Sequence, residues 1–375
     1  MDFELTEEQE DIQKAAANFA QGEFDPDVAL ELDQSGQFPE SIWRKAATLG
    51  FIGIHYPEEF GGQGLGLFES VLVIEAFCRV DSGIGSALSL ADLGSDVILR
   101  FGSQEQKGRI LVPLVKGQKR LSVAFEESEN DRDFPSMSTI AEEQGGAYLL
   151  RGKKRFVLNA SLADTLLVLC KGSEEGWMTL IVERGETNME VHPVEKMGLR
   201  TISFGDLYLK GVRVPYEKRL EGDGIAQTDF FYQATGLKNM AQALGLIEGA
   251  FDRAAQYARQ REQFKKKLSE FQAIRHKLAE MAVGMELVRL LTYKSAIQFD
   301  HGEIDQELLS IARLEVGRRL LGIVDEALQI FGGYGYMTEQ AIEHYYRDAW
   351  AIRSLLGTEE ELRDLIIQKL LGKQR

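Results

Sequence analysis

Side chains that can move a proton or hold charge in a defined place are few along this 375-residue chain. The five histidines, His55, His192, His276, His301 and His344, are isolated. They offer no metal-ligand spacing, and no nucleophile stands beside a base. Cys78 in EAFCRV and Cys170 in LLVLCK sit among apolar residues, which fits buried, inert thiols in a reducing compartment. Carboxylates can accept protons, and Asp92 and Asp96 in SLADLGSDVILRFG are four residues apart, a helical spacing that ordinarily marks a solvated face or a cap. The stretch SLLGTEEELR, residues 354 to 363, raises the opposite question, because Leu356 stands before a Gly357-Thr358 turn into an acidic helix and cannot accept a proton.

The elements that must position these groups follow from the hydrophobic pattern. With 44% hydrophobic residues the chain can bury a sizeable core, and its net charge of -16 argues against an electrostatic grip on nucleic acid or anionic membrane. The acidic start MDFELTEEQE has no signal-peptide character, and no apolar run is long enough to span a bilayer, so a cytoplasmic protein is expected. Residues 1–120 read as helical: Thr6 and Gln9 have capping-box spacing, and helices follow at ESIWRKAATLGF, LFESVLVIEAFCRV and SQEQKGRILVPLVKG. Residues 121–227 carry short β-rich runs separated by QGG, GSEEG and GETN, with no helix-length spacers, so a compact sheet or barrel without βαβ units is predicted. Residues 228–375 return to long helices, the first with small residues at helical spacing, as close packing in a bundle requires. The class is α+β.

The strings YARQREQF, EFQ, QIFGGYGY and YRDA followed by GT, with LTEEQ, FGGQG, KMGLR and VRVP, resemble the acyl-CoA dehydrogenase family over nearly the whole chain. The resemblance implies an N-terminal helical domain, a central β domain and a C-terminal four-helix bundle, usually in a tetramer. It implies FAD, an acyl-CoA thioester lying against the flavin, and electron-transferring flavoprotein as acceptor. In the family the ADP half of each FAD is held by the neighbouring chain, and the matching positions here are Arg261, Phe264, Gln272, Gln329, Gly332 and Gly333. The chemistry is consistent, since arginine offers a forked cation to pyrophosphate and a Gly-Gly turn lets backbone N–H groups approach phosphate.

The same resemblance exposes departures. The glutamate base that usually precedes the Gly-Thr pair is Leu356 here, with Thr358 keeping the turn, and the alternative base site is Thr235. Two threonines that hydrogen-bond the flavin edge are replaced by Glu126 and Leu158, of which Leu158 cannot donate at all. The serine that meets CoA aligns with Arg132, and an arginine that commonly follows Thr235 is Gly236. Three functions are therefore expected to compete. One is a base-lacking subunit in a homo- or hetero-tetramer, completing the flavin site of a paralogous partner. Another is an active dehydrogenase of cyclic acyl-CoA thioesters with Asp92 as a relocated base. The last is a scaffold or binding protein.

Overall fold

The computed structural model describes residues 4–127, 136–172, 176–303 and 305–372; Arg132 lies outside them. Seven helices come first: α1 (Glu7–Glu23), α2 (Pro26–Ser35), α3 (Glu40–Thr48), α4 (Leu67–Val80), α5 (Ser82–Ser89), α6 (Ser95–Phe101) and α7 (Gln104–Val115). The Thr6 and Gln9 capping box forms as the spacing predicts, each side chain receiving the other's backbone N–H. Helices α2, α5 and α6 were not anticipated. Helix α2 carried readable signals, an Asp25 N-cap, Pro26 in its first turn and Gly36 at positive φ behind it.

The strands are β1 (Leu121–Ala124), β2 (Ile140–Gln144), β3 (Ala147–Leu158), β4 (Thr165–Lys171), β5 (Trp177–Glu183), β6 (Met189–Pro193) and β7 (Phe204–Pro215). They form one sheet in the order β1-β4-β2-β3-β7-β6, with β5 on the other edge of β4. Among the described residues no α-helix separates the strands, yet parallel pairing does occur: β1 runs parallel to β4, and β2 continues along the same edge at Ile140. Strand β4 is thereby enclosed by neighbours, and its residues Thr165 to Cys170 are all buried, which explains an apolar run with no alternation.

Among the described residues the C-terminal part contains five α-helices, one more than the four-helix expectation: α8 (Gly224–Gln260), α9 (Gln272–Asp300), α10 (Gln306–Phe331), α11 (Ile342–Leu355) and α12 (Glu359–Leu371). Helix α8, 37 residues and so roughly 55 Å long, is the spine of the molecule. Its small residues let α4 lie against it: a Cβ on Gly245 would stand 2.2 Å from the Glu75 carbonyl oxygen, and one on Gly249 2.3 Å from that of Arg79. The N-terminus of α4 is held by α9, whose Asp300 carboxylate accepts from the N–H groups of Leu67 and Phe68, both at 2.8 Å.

Candidate active site

The first four turns of α8 face the sheet, the segment around Leu90 and Leu93, and the end of α11, and the space between them is a cavity of about 380 Å³. Its walls are apolar where Leu93, Phe125, Leu158 and Phe231 meet. The shape of the sheet wall depends on an irregularity in β3, whose register against β7 shifts between Lys154 and Val157. Phe156 there adopts φ 53, and Arg155, Phe156 and Leu158 all line the cavity. A non-glycine residue in that region costs roughly 1–3 kcal/mol and tends to persist where function needs it. The Phe156 ring stacks on Phe204 at 5.7 Å, with the Arg155 guanidinium 4.5 Å from its centroid.

At the end of α11 the chain departs from expectation. An apolar side chain in the place of the usual base would line the pocket, but that of Leu356 is wholly buried in the helical core, and it is Leu355 and Gly357 that line the cavity. The helical turn continues through Leu356 (φ -74, ψ -12), which puts it on the same inward face as Ile352, one turn earlier and equally buried. The last carbonyls of α11 are taken up by side chains: Asn239 Nδ2 donates to the Leu355 oxygen at 3.0 Å and Arg313 Nε to the Leu356 oxygen at 2.7 Å. Arg313 occupies the room that Gly236 leaves, since a Cβ at 236 would lie 3.1 Å from Arg313 Cδ. The arginine missing after Thr235 is thus matched by a guanidinium from α10.

The two aspartates do not form a solvated face. Asp92 precedes α6, is buried, and its Oδ2 accepts from the Tyr56 hydroxyl at 2.5 Å and from Ser95 Oγ at 3.2 Å. Its neighbours Leu90 and Leu93 line the cavity; Asp92 does not. Asp96 pairs with Lys238 Nζ and with His55 Nε2, each at 2.8 Å, while His55 Nδ1 meets Ser70 Oγ at 2.8 Å. Burial alone would raise the Asp96 carboxyl, but the Lys238 ammonium and the His55 ring hold it well below the usual carboxylate range. Lys238 is raised in turn, since Asp92 and Asp96 outweigh its burial. Burial also pushes Cys170 up to about 12, consistent with an inert thiol.

Among the other residues singled out from the sequence, Glu126 and Leu158 lie together in the cavity, and Glu126 Oε1 accepts from the Tyr232 hydroxyl at 2.8 Å. Thr358 is exposed and caps α12, its Oγ1 accepting from Glu361 N at 3.2 Å. Arg261, Gly332 and Gly333 converge at the far end of the bundle, in a second groove of about 550 Å³. Gln272, Gln329 and Phe264 are exposed around the same end of the bundle, Phe264 at 88%. Among the cavity residues that escaped the sequence reading are Asn239, Arg313 and Glu361. Their only signal was a polar or charged type on a face otherwise apolar, which the local pattern alone could not tell from a solvated position.

A dinucleotide such as FAD fits this chain unevenly. The outer groove suits an ADP moiety, with a forked cation at Arg261 and, at Gly332 and Gly333, backbone where an added Cβ would meet nothing within 4 Å. The cavity presents Leu158, which has no donor, and the Glu126 carboxyl already bonded by Tyr232. Among the described residues no cluster of side chains could hold a metal ion, and no helix is long and apolar enough to cross a membrane.

Comparison with known proteins follows the same division of the chain. The family models described as the N-terminal, middle and C-terminal domains of acyl-CoA dehydrogenase match residues 6–118, 122–212 and 222–371. The 3-(aryl)acrylate reductase of Clostridium sporogenes is 35% identical, the match covering 98% of this chain and 99% of that protein. Subunit CarC of the caffeyl-CoA reductase-Etf complex of Acetobacterium woodii is 32% identical, over 99% of this chain and 100% of its own. Among solved structures, butyryl-CoA dehydrogenase from Megasphaera elsdenii is 32% identical with a TM-score of 0.93, covering 99% of this chain and 100% of that one.

Proposed function

The chain belongs to the acyl-CoA dehydrogenase family of oxidoreductases, whose members are FAD-dependent flavoproteins, and we propose that within it this protein is a base-lacking subunit. It would complete an acyl-CoA-oxidising or -reducing assembly with a catalytically complete paralogue and electron-transferring flavoprotein. The observation that carries this reading is that neither expected base reaches the cavity: Leu356 is packed into the core and the Asp92 carboxylate is turned to Tyr56 and Ser95. Bound FAD would supply a hydride acceptor. The role of this chain's own residues is to hold and to shape: Arg261 and the Gly332-Gly333 turn offer an outward-facing grip for the ADP half of a neighbour's cofactor. Leu93, Phe231 and the β3 irregularity keep water from an acyl group in the cavity. The ETF-linked relative supports the acceptor. The test is turnover of acyl-CoA with electron-transferring flavoprotein. The chain alone is expected to be inactive and a co-purified paralogue to restore activity; full turnover by the chain alone would overturn the reading.

A second reading is favoured by the position of Glu361. Its carboxyl lines the cavity beside Gly357, 3.5 Å from where a Cβ on that glycine would stand. A proton acceptor there is adjacent to the place of the missing glutamate, though on α12 rather than α11, so the chain would be an active enzyme with a displaced base. Under this reading Glu361→Gln abolishes turnover by the chain alone; under the first there is none to abolish.

A further inference from the structure

The exposure of its lining residues orients the cavity. Ser354 is exposed and Arg155, Phe156 and Phe204 are half-buried, whereas Leu90, Leu93, Phe125 and Phe231 are buried, so the mouth lies at the first group and the deep end at the second. A cavity of about 380 Å³ leaves the bulky, charged nucleotide of CoA at the mouth, and an acyl group then points toward Leu90 and Leu93. The walls around that end are joined in different ways. The segment 90–93 is tied to the sheet region by Asn159 Nδ2, which donates to the Leu90 oxygen at 2.9 Å, and by Leu121 N, which donates to the Ala91 oxygen at 3.0 Å. The sheet meets α8 where the Phe125 and Phe231 rings stand edge to face at 5.2 Å. Between α8 and the ends of α5 and α6 the join is made by polar side chains. Thr235, Lys238, Asn239 and Gln242 share one face of α8. Thr235 and Asn239 line the cavity, while Lys238 Nζ reaches Asp96 Oδ2 at 2.8 Å and Gln242 Nε2 donates to Ser89 Oγ at 2.6 Å. Lys238, Gln242 and Asp96 are buried, and none of them lines the cavity.

We propose that these two ties latch the seam between α8 and the ends of α5 and α6, and that Lys238 and Gln242 thereby set the longest acyl group the cavity accepts. This limit rests on the reading of the cavity as an acyl-CoA site, and it asks for a short or compact acyl group that ends at Leu90 and Leu93. An apolar seam parts readily for a longer chain, because the contacts it loses are replaced by contacts with that chain. A seam closed by polar side chains does not. A methylene chain offers nothing to the Lys238 ammonium or to the Gln242 amide, so entry would break a buried ion pair and leave a buried donor unpaired.

Equilibrium binding of butanoyl-, hexanoyl-, octanoyl-, decanoyl- and dodecanoyl-CoA to the full-length protein as purified tests this. Affinity is expected to rise about fourfold per methylene while the cavity fills, and to stop rising before dodecanoyl-CoA. Gln242→Ala opens the seam without stranding a partner: Ser89 Oγ still donates to the Ser86 oxygen at 3.0 Å, and the Gln242 Oε1 that is lost has no hydrogen-bond partner among the described residues. This variant should bind dodecanoyl-CoA about tenfold tighter than the original protein does, and butanoyl-CoA equally well. Lys238→Met, in which Asp96 keeps its contact with His55 Nε2 at 2.8 Å, is measured alongside and should move the limit in the same direction. A purely structural role for the two residues would weaken the whole series equally and leave the limit where it is, which overturns the proposal. Affinity that climbs through dodecanoyl-CoA in the original protein overturns it as well. Both of these results leave the acyl-CoA reading intact, whereas failure of every acyl-CoA to bind overturns that reading and the limit together.

Discussion

Leu356 shows how a residue can be located correctly and its surroundings still misjudged. Its sequence position, before Gly357-Thr358, marks where a base would be expected, but which way its side chain points was set by the helix continuing one residue further and pairing it with Ile352. The sequence carried the absence of a carboxylate and could not carry that direction. Simply restoring the missing group should therefore fail: Leu356→Glu places a carboxyl in the core, lowers stability by about 3 kcal/mol or more, and gives no gain in turnover. Thermal denaturation and a dehydrogenase assay on the same preparation check it. Asp92 has the reverse history, since its candidacy needed an open approach that Tyr56 and Ser95 close off. The pairing of Asp96 with Lys238 spans elements far apart in the chain and left no local trace.

Among the elements, the long helices were legible because their period is sustained over many turns. The short α5 (SGIGSALS) and α6 were not, being too brief to show one, and α11 was passed over although its flanks were read. Small residues on α8 were read as a sign of close packing, and Gly245 against α4 is the instance. Gly245→Ala should cost at least about 1–3 kcal/mol by overpacking, measured by chemical denaturation. The same helix junction buries Glu75 of α4 against Glu248 of α8, with Arg79 on α4, Asp252 on α8, Arg289, Glu286 and Tyr293 on α9 and Gln13 on α1 around them. Burial, then the Glu248 charge, push the Glu75 carboxyl up to about 8, against the Tyr293 hydroxyl and Arg289, which favour its ionised form. In the folded protein Glu75 therefore keeps its proton where the unfolded chain has lost it. The contribution is fully present below the ordinary glutamate value and is lost as pH rises through about 8. Stability should decline from about pH 5 to about pH 8, and Glu75→Gln should flatten that decline; a slope unchanged by the substitution would show that other groups set it.

For the whole molecule, the three-part plan was readable from the change between periods of 3.6 and 2, and the comparisons follow the same plan. Assembly was less readable, because an exposed residue and one awaiting a partner look alike in sequence. Val283, Leu287 and Leu290 form an exposed apolar row on α9, and Phe264 and Tyr336 stand out from the far end of the bundle at 88% and 89% exposure, surfaces that a neighbouring subunit would cover. If Arg261 grips a neighbour's cofactor, Arg261→Ala should reduce the flavin held by the co-purified assembly severalfold and leave the thermal stability of this chain alone within about 0.5 kcal/mol of the original. The most direct measurement is the flavin content of this chain expressed and purified without a paralogue, read from its visible spectrum. A subunit that lends its outer groove to a neighbour and lacks a complete ring site should be nearly colourless alone and yellow in the assembly. A full equivalent of FAD on each chain in isolation would contradict the account.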